Sequence, residues 1–340
     1  AIWNRGLSAT EVAQLYNGGI GLELTGASLD CSGASVYAGT GTTYTDTGLT
    51  NGEIYYYRVC SYDEVPNYSP GVVTSATPDT SIPWSWGFNS TGQLGDGTVT
   101  DRLTPVQVIG LTGMADIDGG WAHTVALKSD GTVWTWGNNL YGQLGDGTTT
   151  DGLVPVQVLP DVSTDVDSGS FHTIALKSNG MVWTWGYNLY GQLGNGTTTD
   201  SSIPVQVSSL SSVIAVASGY FHSMALKSDG TVRTWGMNLY GQLGIGITGS
   251  YRTTPVQTSG ITNVTAITGG YNHSVALKGD GTVWTWGANS SGQLGDGTTT
   301  SRNTPVQVAG LSNVTAIASG GYYTLALKSD GTVWAWGNNS

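Results

Sequence analysis

The side chains best equipped for chemistry in this chain are its four histidines, and all four occupy one position of a repeated phrase: His123, His172, His222 and His273, with Tyr323 in the fifth copy. Imidazoles at a shared position invite a metal-centre reading. A repeat, however, distributes equivalent residues around an axis, one per unit, whereas zinc draws its nitrogens to within about 2.1 Å of a single point. Tyr323 also breaks the set. The expectation is that each ring hydrogen-bonds backbone inside its own unit. The Gly-Gln-Leu-Gly-Asp-Gly loops at 92–97, 142–147 and 292–297 raise phosphate or calcium binding. No Lys-Ser/Thr follows the glycines as in a P-loop, and the Asp-x-Asp-x-Asp-Gly ligand spacing of a calcium loop is missing. Asn195 and Ile245 replace the aspartate in two copies. A glycine-defined turn with Leu144 and its equivalents tucked inward is the expected role. No Ser-His-Asp, Cys-His or paired-carboxylate arrangement recurs, so no catalytic residue, metal or cofactor is expected.

The elements that carry these residues are β-hairpins. In the phrase from Gly120 to Gly137, two runs alternating apolar with small or polar residues flank Asp130-Gly131, a dipeptide that accepts the positive φ angles of a type I′ turn. The other copies turn at Asn179-Gly180, Asp229-Gly230, Asp280-Gly281 and Asp330-Gly331. Trp-Gly pairs begin at 86, 136, 185, 235, 286 and 336, and that period near 50 residues signals stacked blades or solenoid turns. One unit holds four short strand-like runs, Thr104 to Val108, Met114 to Asp118, His123 to Lys128 and Thr132 to Trp136, which fits a four-stranded antiparallel propeller blade. Eleven of the thirteen tryptophans lie in Trp-x-Trp-Gly strands, where alternation puts Trp134 and Trp136 on one face, suited to packing between blades. Arg233 replaces the first tryptophan of one pair, so that position must reach solvent in part.

The phrases Gly-Gln-Leu-Gly-Asp-Gly, Thr-Pro-Val-Gln-Val (104–108), Gly-x-x-His and Asp-Gly-Thr-Val-Trp-Thr-Trp-Gly, repeated over residues 84 to 340, resemble the regulator of chromosome condensation repeat, including bacterial members such as a β-lactamase-inhibiting propeller. The resemblance implies an all-β propeller. Family rings usually have seven blades, and this chain carries five full units. Trp84-Ser85-Trp86 reads as a lone fourth strand, and the chain stops where the next Gly-Gln-Leu-Gly is due. The expectation is an incomplete seven-bladed ring whose natural chain continues past Ser340, with a five-bladed ring as the alternative.

The N-terminal quarter differs. Residues 1–20 resemble the C-terminal remnant of a laminin-G-like, concanavalin A-like domain, with Ser8 and Glu11 forming a helix-capping box. Residues 22–79 resemble a partial fibronectin type III module, a small β-sandwich-like segment in which Tyr55, Tyr57 and Val59 alternate against Tyr56 and Arg58 as a strand. Cys31 and Cys60 form a disulfide candidate in an oxidising compartment, the other reading being two buried thiols. Residues 80–83 read as a linker.

Only 10% of the chain is charged and its net charge is −12, which argues against a nucleic-acid partner. No run approaches the roughly 18 apolar residues of a membrane span. The informative signal is what varies between units. Just before the histidine position stand Trp121-Ala122, Ser170-Phe171, Tyr220-Phe221, Tyr271-Asn272 and Gly321-Tyr322, an aromatic in every copy. After Trp-Gly, a second variable site carries Phe88, Asn138, Tyr187, Met237 and Ala288, followed by Leu140-Tyr141, Leu189-Tyr190 and Leu239-Tyr240. Aromatic turns at one end of a propeller suit partner binding. The expected binding residues are Trp121, Phe171, Tyr220, Phe221, Tyr271, Tyr322, Tyr141, Tyr187, Tyr190 and Tyr240. The expected function is a non-enzymatic protein-binding module of a secreted or cell-surface, multi-domain bacterial protein. The resemblance implies a guanine-nucleotide exchange factor as one alternative, and stacked aromatics suggest a carbohydrate-binding propeller as another.

Overall fold

The computed structural model describes residues 82–160 and 162–339, together with strands β1 (Tyr55–Val59) and β2 (Val72–Ala76). The chain divides into two units, Ala1–Ser81 and Ile82–Ser340. In the first, β1 and β2 pair antiparallel, Tyr55 opposite Ala76 and Val59 opposite Val72. The Ser8–Glu11 capping box, the 1–20 remnant and the Cys31–Cys60 pairing lie outside the described residues.

The second unit is a succession of small antiparallel sheets. Strands β5 (Met114–Gly119), β6 (His123–Lys128), β7 (Val133–Gly137) and β8 (Gly152–Leu159) form one four-stranded blade in that order. Three further blades repeat it: β9 (Ser163–Ser168) to β12 (Ser201–Gln206), β13 (Val213–Ser218) to β16 (Arg252–Gln257), and β17 (Val264–Gly269) to β20 (Arg302–Gln307). A two-stranded sheet of β3 (Trp84–Gly87) and β4 (Arg102–Gln107) precedes them, and a three-stranded sheet of β21 (Val314–Ser319), β22 (Tyr323–Lys328) and β23 (Val333–Gly337) follows.

The blade is offset from the expected unit. The Trp-x-Trp-Gly strand is the third of its sheet, and the Thr-Pro-Val-Gln run is the fourth strand of the same sheet, reached across the Gly-Gln-Leu-Gly loop. Trp84–Gly87 is accordingly a third strand paired with β4, not a lone fourth. Proline explains this. Pro105, Pro155, Pro204, Pro255 and Pro305 all fall in the outermost strand, whose free edge tolerates a missing N–H.

The core lies between blades. Val125, Leu127, Val133 and Leu159 of one blade pack against Val166, Ala175 and Trp185 of the next, and the same arrangement recurs along the series. Trp136, Trp185, Trp235 and Trp286 are all but fully buried. Trp134 packs on the core margin half-exposed, its Nε1 donating to Thr132 Oγ1 at 3.1 Å, and Arg233 holds the equivalent half-exposed place. The connecting loop is a polar knot around a buried asparagine. Asn139 Nδ2 meets Asp146 Oδ1, Thr148 O, Thr148 Oγ1 and Thr150 O at 3.0–3.2 Å, while Leu144 N donates to Asn139 Oδ1 at 2.9 Å. An amide thus fills the centre of the loop, and Leu144 is buried beneath it, as expected.

Candidate recognition site

The histidines begin the site, and their partners differ from the expectation. Each imidazole reaches out of its own blade to a hydroxyl of the next: His123 Nε2 to Thr173 Oγ1 at 3.0 Å, His172 to Ser223 at 2.9 Å, His222 to Ser274 at 2.9 Å and His273 to Thr324 at 3.1 Å. Those hydroxyls donate their single hydrogen back to the carbonyls of Gln143, Gln192, Gln242 and Gln293 in the preceding blade's loop. Each hydroxyl must therefore accept from the imidazole, which fixes the Nε2–H tautomer in all four rings. The Gln192, Gln242 and Gln293 carbonyls also accept from the Trp235, Trp286 and Trp336 indoles. Burial pushes the imidazole pKa values down to about 4 for His123 and His273 and about 3 for His172 and His222. Among the described residues, no three of His, Cys, Asp or Glu are arranged to hold a metal ion.

Glycines let the inner strands close over these rings. A Cβ at Gly120, Gly169, Gly219 or Gly270 would overlap both the imidazole three residues on and the carbonyl of the next blade's equivalent glycine. Gly219→Ala is expected to destabilise by about 3 kcal/mol in chemical denaturation, at the upper end of overpacking costs because the obstruction is partly backbone. An unchanged midpoint would disprove the close packing.

Beyond each glycine the backbone forms a ladder around the axis. Trp121 N donates to Ser170 O, Ser170 N to Tyr220 O, Tyr220 N to Tyr271 O and Tyr271 N to Gly321 O, at 3.0–3.3 Å. The segments 119–121, 168–170, 218–220, 269–271 and 319–321 line an open axial cavity of ≈ 280 Å³. Trp121, Tyr220 and Tyr271 converge over it from three blades, with ring centroids 6.2 Å (Trp121–Tyr220), 6.3 Å (Trp121–Tyr271) and 4.7 Å (Tyr220–Tyr271) apart. Outside them Phe171 and Phe221 stack at 6.2 Å, and Tyr141, Tyr187 and Tyr190 extend the sheet of rings outward. Tyr322 joins through Tyr271 at 5.0 Å. Nine of the ten expected binding aromatics thus form one connected network, while Tyr240 stands exposed without a ring contact among the described residues.

The inner strands also hold carboxylates that the repeat comparison passed over. Asp118 Oδ2 accepts from Ser168 N at 2.8 Å and from Ser168 Oγ. Asp165 Oδ2 accepts from Val216 N at 2.9 Å. Burial raises Asp118, raises Asp165 to about 6, and raises Asp167 well above the usual carboxylate range, with repulsion from Asp116 adding to the first two and from Asp118 and Asp165 to the third. No basic group stands among the charges that shift them. The signal was present as Asp-x-Asp at 116/118 and 165/167, in two units where the others carry Ala or Thr. The lysines gather at the opposite end of the hairpins, where Lys128, Lys227, Lys278 and Lys328 face the turn aspartates Asp130, Asp229, Asp280 and Asp330.

Four-stranded blades in series, riveted through Trp and His, define a β-propeller. The regulator of chromosome condensation (RCC1) repeat matches residues 84–127, 130–176, 179–226, 229–277 and 280–327, and the chain belongs to that family. Human WBSCR16 is similar in structure, with a TM-score of 0.69 and 26% identity over 79% of this chain and 74% of that one. A structure of Prp20p from Saccharomyces cerevisiae, described with its binding properties to Gsp1p and histones, matches with a TM-score of 0.54 and 21% identity over 77% of this chain and 82% of that one. The ultraviolet-B receptor UVR8 of Arabidopsis thaliana is 42% identical over 50 residues, 14% of this chain and 11% of the receptor. The chain thus spans a small part of that relative's length. Among the described residues, no helix is long and apolar enough to cross a membrane.

Proposed function

We propose that this chain is a non-enzymatic protein-recognition module that binds its partner through the aromatic end of the propeller. The observation that carries the reading is the connected network itself: rings at positions that vary between units meet across several blades, while the positions that do not vary serve the interfaces. Trp121 is 59% exposed and Tyr322 42% exposed, so the network presents apolar surface outward. That Prp20p has been described binding Gsp1p and histones supports protein recognition as the use of such a scaffold. The laminin-G-like and fibronectin-like resemblances of residues 1–79 support placing the module in a secreted or cell-surface bacterial protein.

The test replaces only exposed rings. Trp121→Ser, Tyr240→Ser and Tyr322→Ser combined should weaken binding of a captured partner by more than about 100-fold, as loss of aromatic hot spots does. Stability should change by less than about 1 kcal/mol, since these side chains lie at the surface. Undiminished binding by the triple variant refutes the assignment.

A further inference from the structure

The axial cavity gives this face a chemical preference, an inference that rests on the recognition reading above. We infer that the cavity under Trp121, Tyr220 and Tyr271 receives a cationic side chain, an arginine or lysine presented by a protein partner. Three observations converge. The mouth is bordered by aromatic rings from three blades, and aromatic π systems attract cations. The wall carries hydroxyls: Ser168, Ser218 and Ser319 line the cavity between the rings and the glycines, and Ser218, only 5% exposed, stands against Asp167. Directly behind the serines lie Asp118, bonded to Ser168, and Asp167, carboxylates with no basic partner near them.

Burial without a counter-charge holds these carboxyls toward their protonated form, and an entering cation favours the ionised form where a neutral or anionic group does not. The volume of ≈ 280 Å³ lies just below the usual range for small-molecule pockets, and it suits one long side chain better than an extended sugar chain.

The experiment titrates the whole chain with N-acetyl-arginine amide and with its neutral isostere N-acetyl-citrulline amide, following the side-chain methylene resonances by NMR. Arginine should show saturable, upfield ring-current shifts, with citrulline binding at least about tenfold more weakly, as expected when a desolvated charge contact is lost. The variant Asp118→Asn/Asp167→Asn keeps the acceptors for Ser168 while removing both charges, and it should bring arginine to the citrulline level. An unfolding midpoint of that variant that is unchanged or raised shows that the fold is intact. Equal binding of the two probes, no saturable shift with arginine, or undiminished arginine binding by the double variant overturns the inference. If arginine binding fails while Trp121→Ser, Tyr240→Ser and Tyr322→Ser still abolish partner capture, the recognition face stands and only its cation preference falls.

Discussion

Lowering the pH from 7 to 5 is expected to strip several kcal/mol from the propeller's stability. The four imidazoles are held neutral at folded pKa values of about 3 to 4, against about 6.5 in the unfolded chain. A base whose folded pKa is depressed takes up protons preferentially when unfolded. Its contribution is therefore complete above pH 6.5 and is withdrawn as the pH falls toward the folded value. Each ring should withdraw about 2 kcal/mol by pH 5, or about 8 kcal/mol for the four if they act independently. The inner-strand aspartates oppose this. Asp165, raised to about 6, binds its proton more readily folded than unfolded and returns about 1 kcal/mol over the same interval. Asp118 and Asp167 act in the same direction. The histidines outnumber them, so acid wins. Against the 5–15 kcal/mol typical of a domain, the denaturant midpoint should fall steeply between pH 6.5 and 5. A midpoint that holds or rises would mean that the imidazoles are not buried neutral.

The second large effect is expected from Asn139→Asp, a change of one NH₂ group for an oxygen. The substituted side chain can still accept from Leu144 N, but it faces Asp146, Thr148 and Thr150 oxygens with no hydrogen to offer them. Buried acceptors without donors, now set against a buried charge, should cost about 4 kcal/mol. The equivalent loop of another blade provides the control. There Asn238 Nδ2 donates to Ile247 O alone among the oxygens of its loop, with Ile245 and Ile247 standing where Asp146 and Thr148 supply side-chain oxygens. Asn238→Asp should cost about half as much. Equal losses at the two sites, measured by guanidinium unfolding, would show that the oxygen cage is not what the amide stabilises.

The repeat made most of the fold legible, because one hairpin written five times with Asp-Gly turns admits few architectures. The phase of the blade was not legible in the same way. Nothing local to Thr104–Val108 says whether it pairs forward with Met114 or back across a loop with Trp84, and the decisive cue is Pro105, which belongs on a free edge. The histidine partners were hidden for a related reason. Thr173 lies 50 residues from His123, and within a single unit the sequence shows a donor and an acceptor with no sign that they bond across blades. The aromatic face could be nominated because its residues change while their neighbours do not. Asp118 and Asp167 escaped that comparison, since only two units carry them and an inner-strand aspartate reads as solvent-facing until the strand is placed on the axis.

The imidazole, hydroxyl and carbonyl relay leaves one blade, enters the next and returns, so the four seams from the β5–β8 blade onward are fastened by groups that neither blade can satisfy alone. Stability in such a series resides in the couplings between neighbours more than in the units. A lesion in one blade is then shared with the two it touches and fades beyond them, so the molecule has a correlation length measured in blades. For a surface assembled from side chains of several blades, as Trp121, Tyr220 and Tyr271 are, that shared fastening keeps rings from separate repeats in register. Loosening one seam would blur the face before it unfolds the chain.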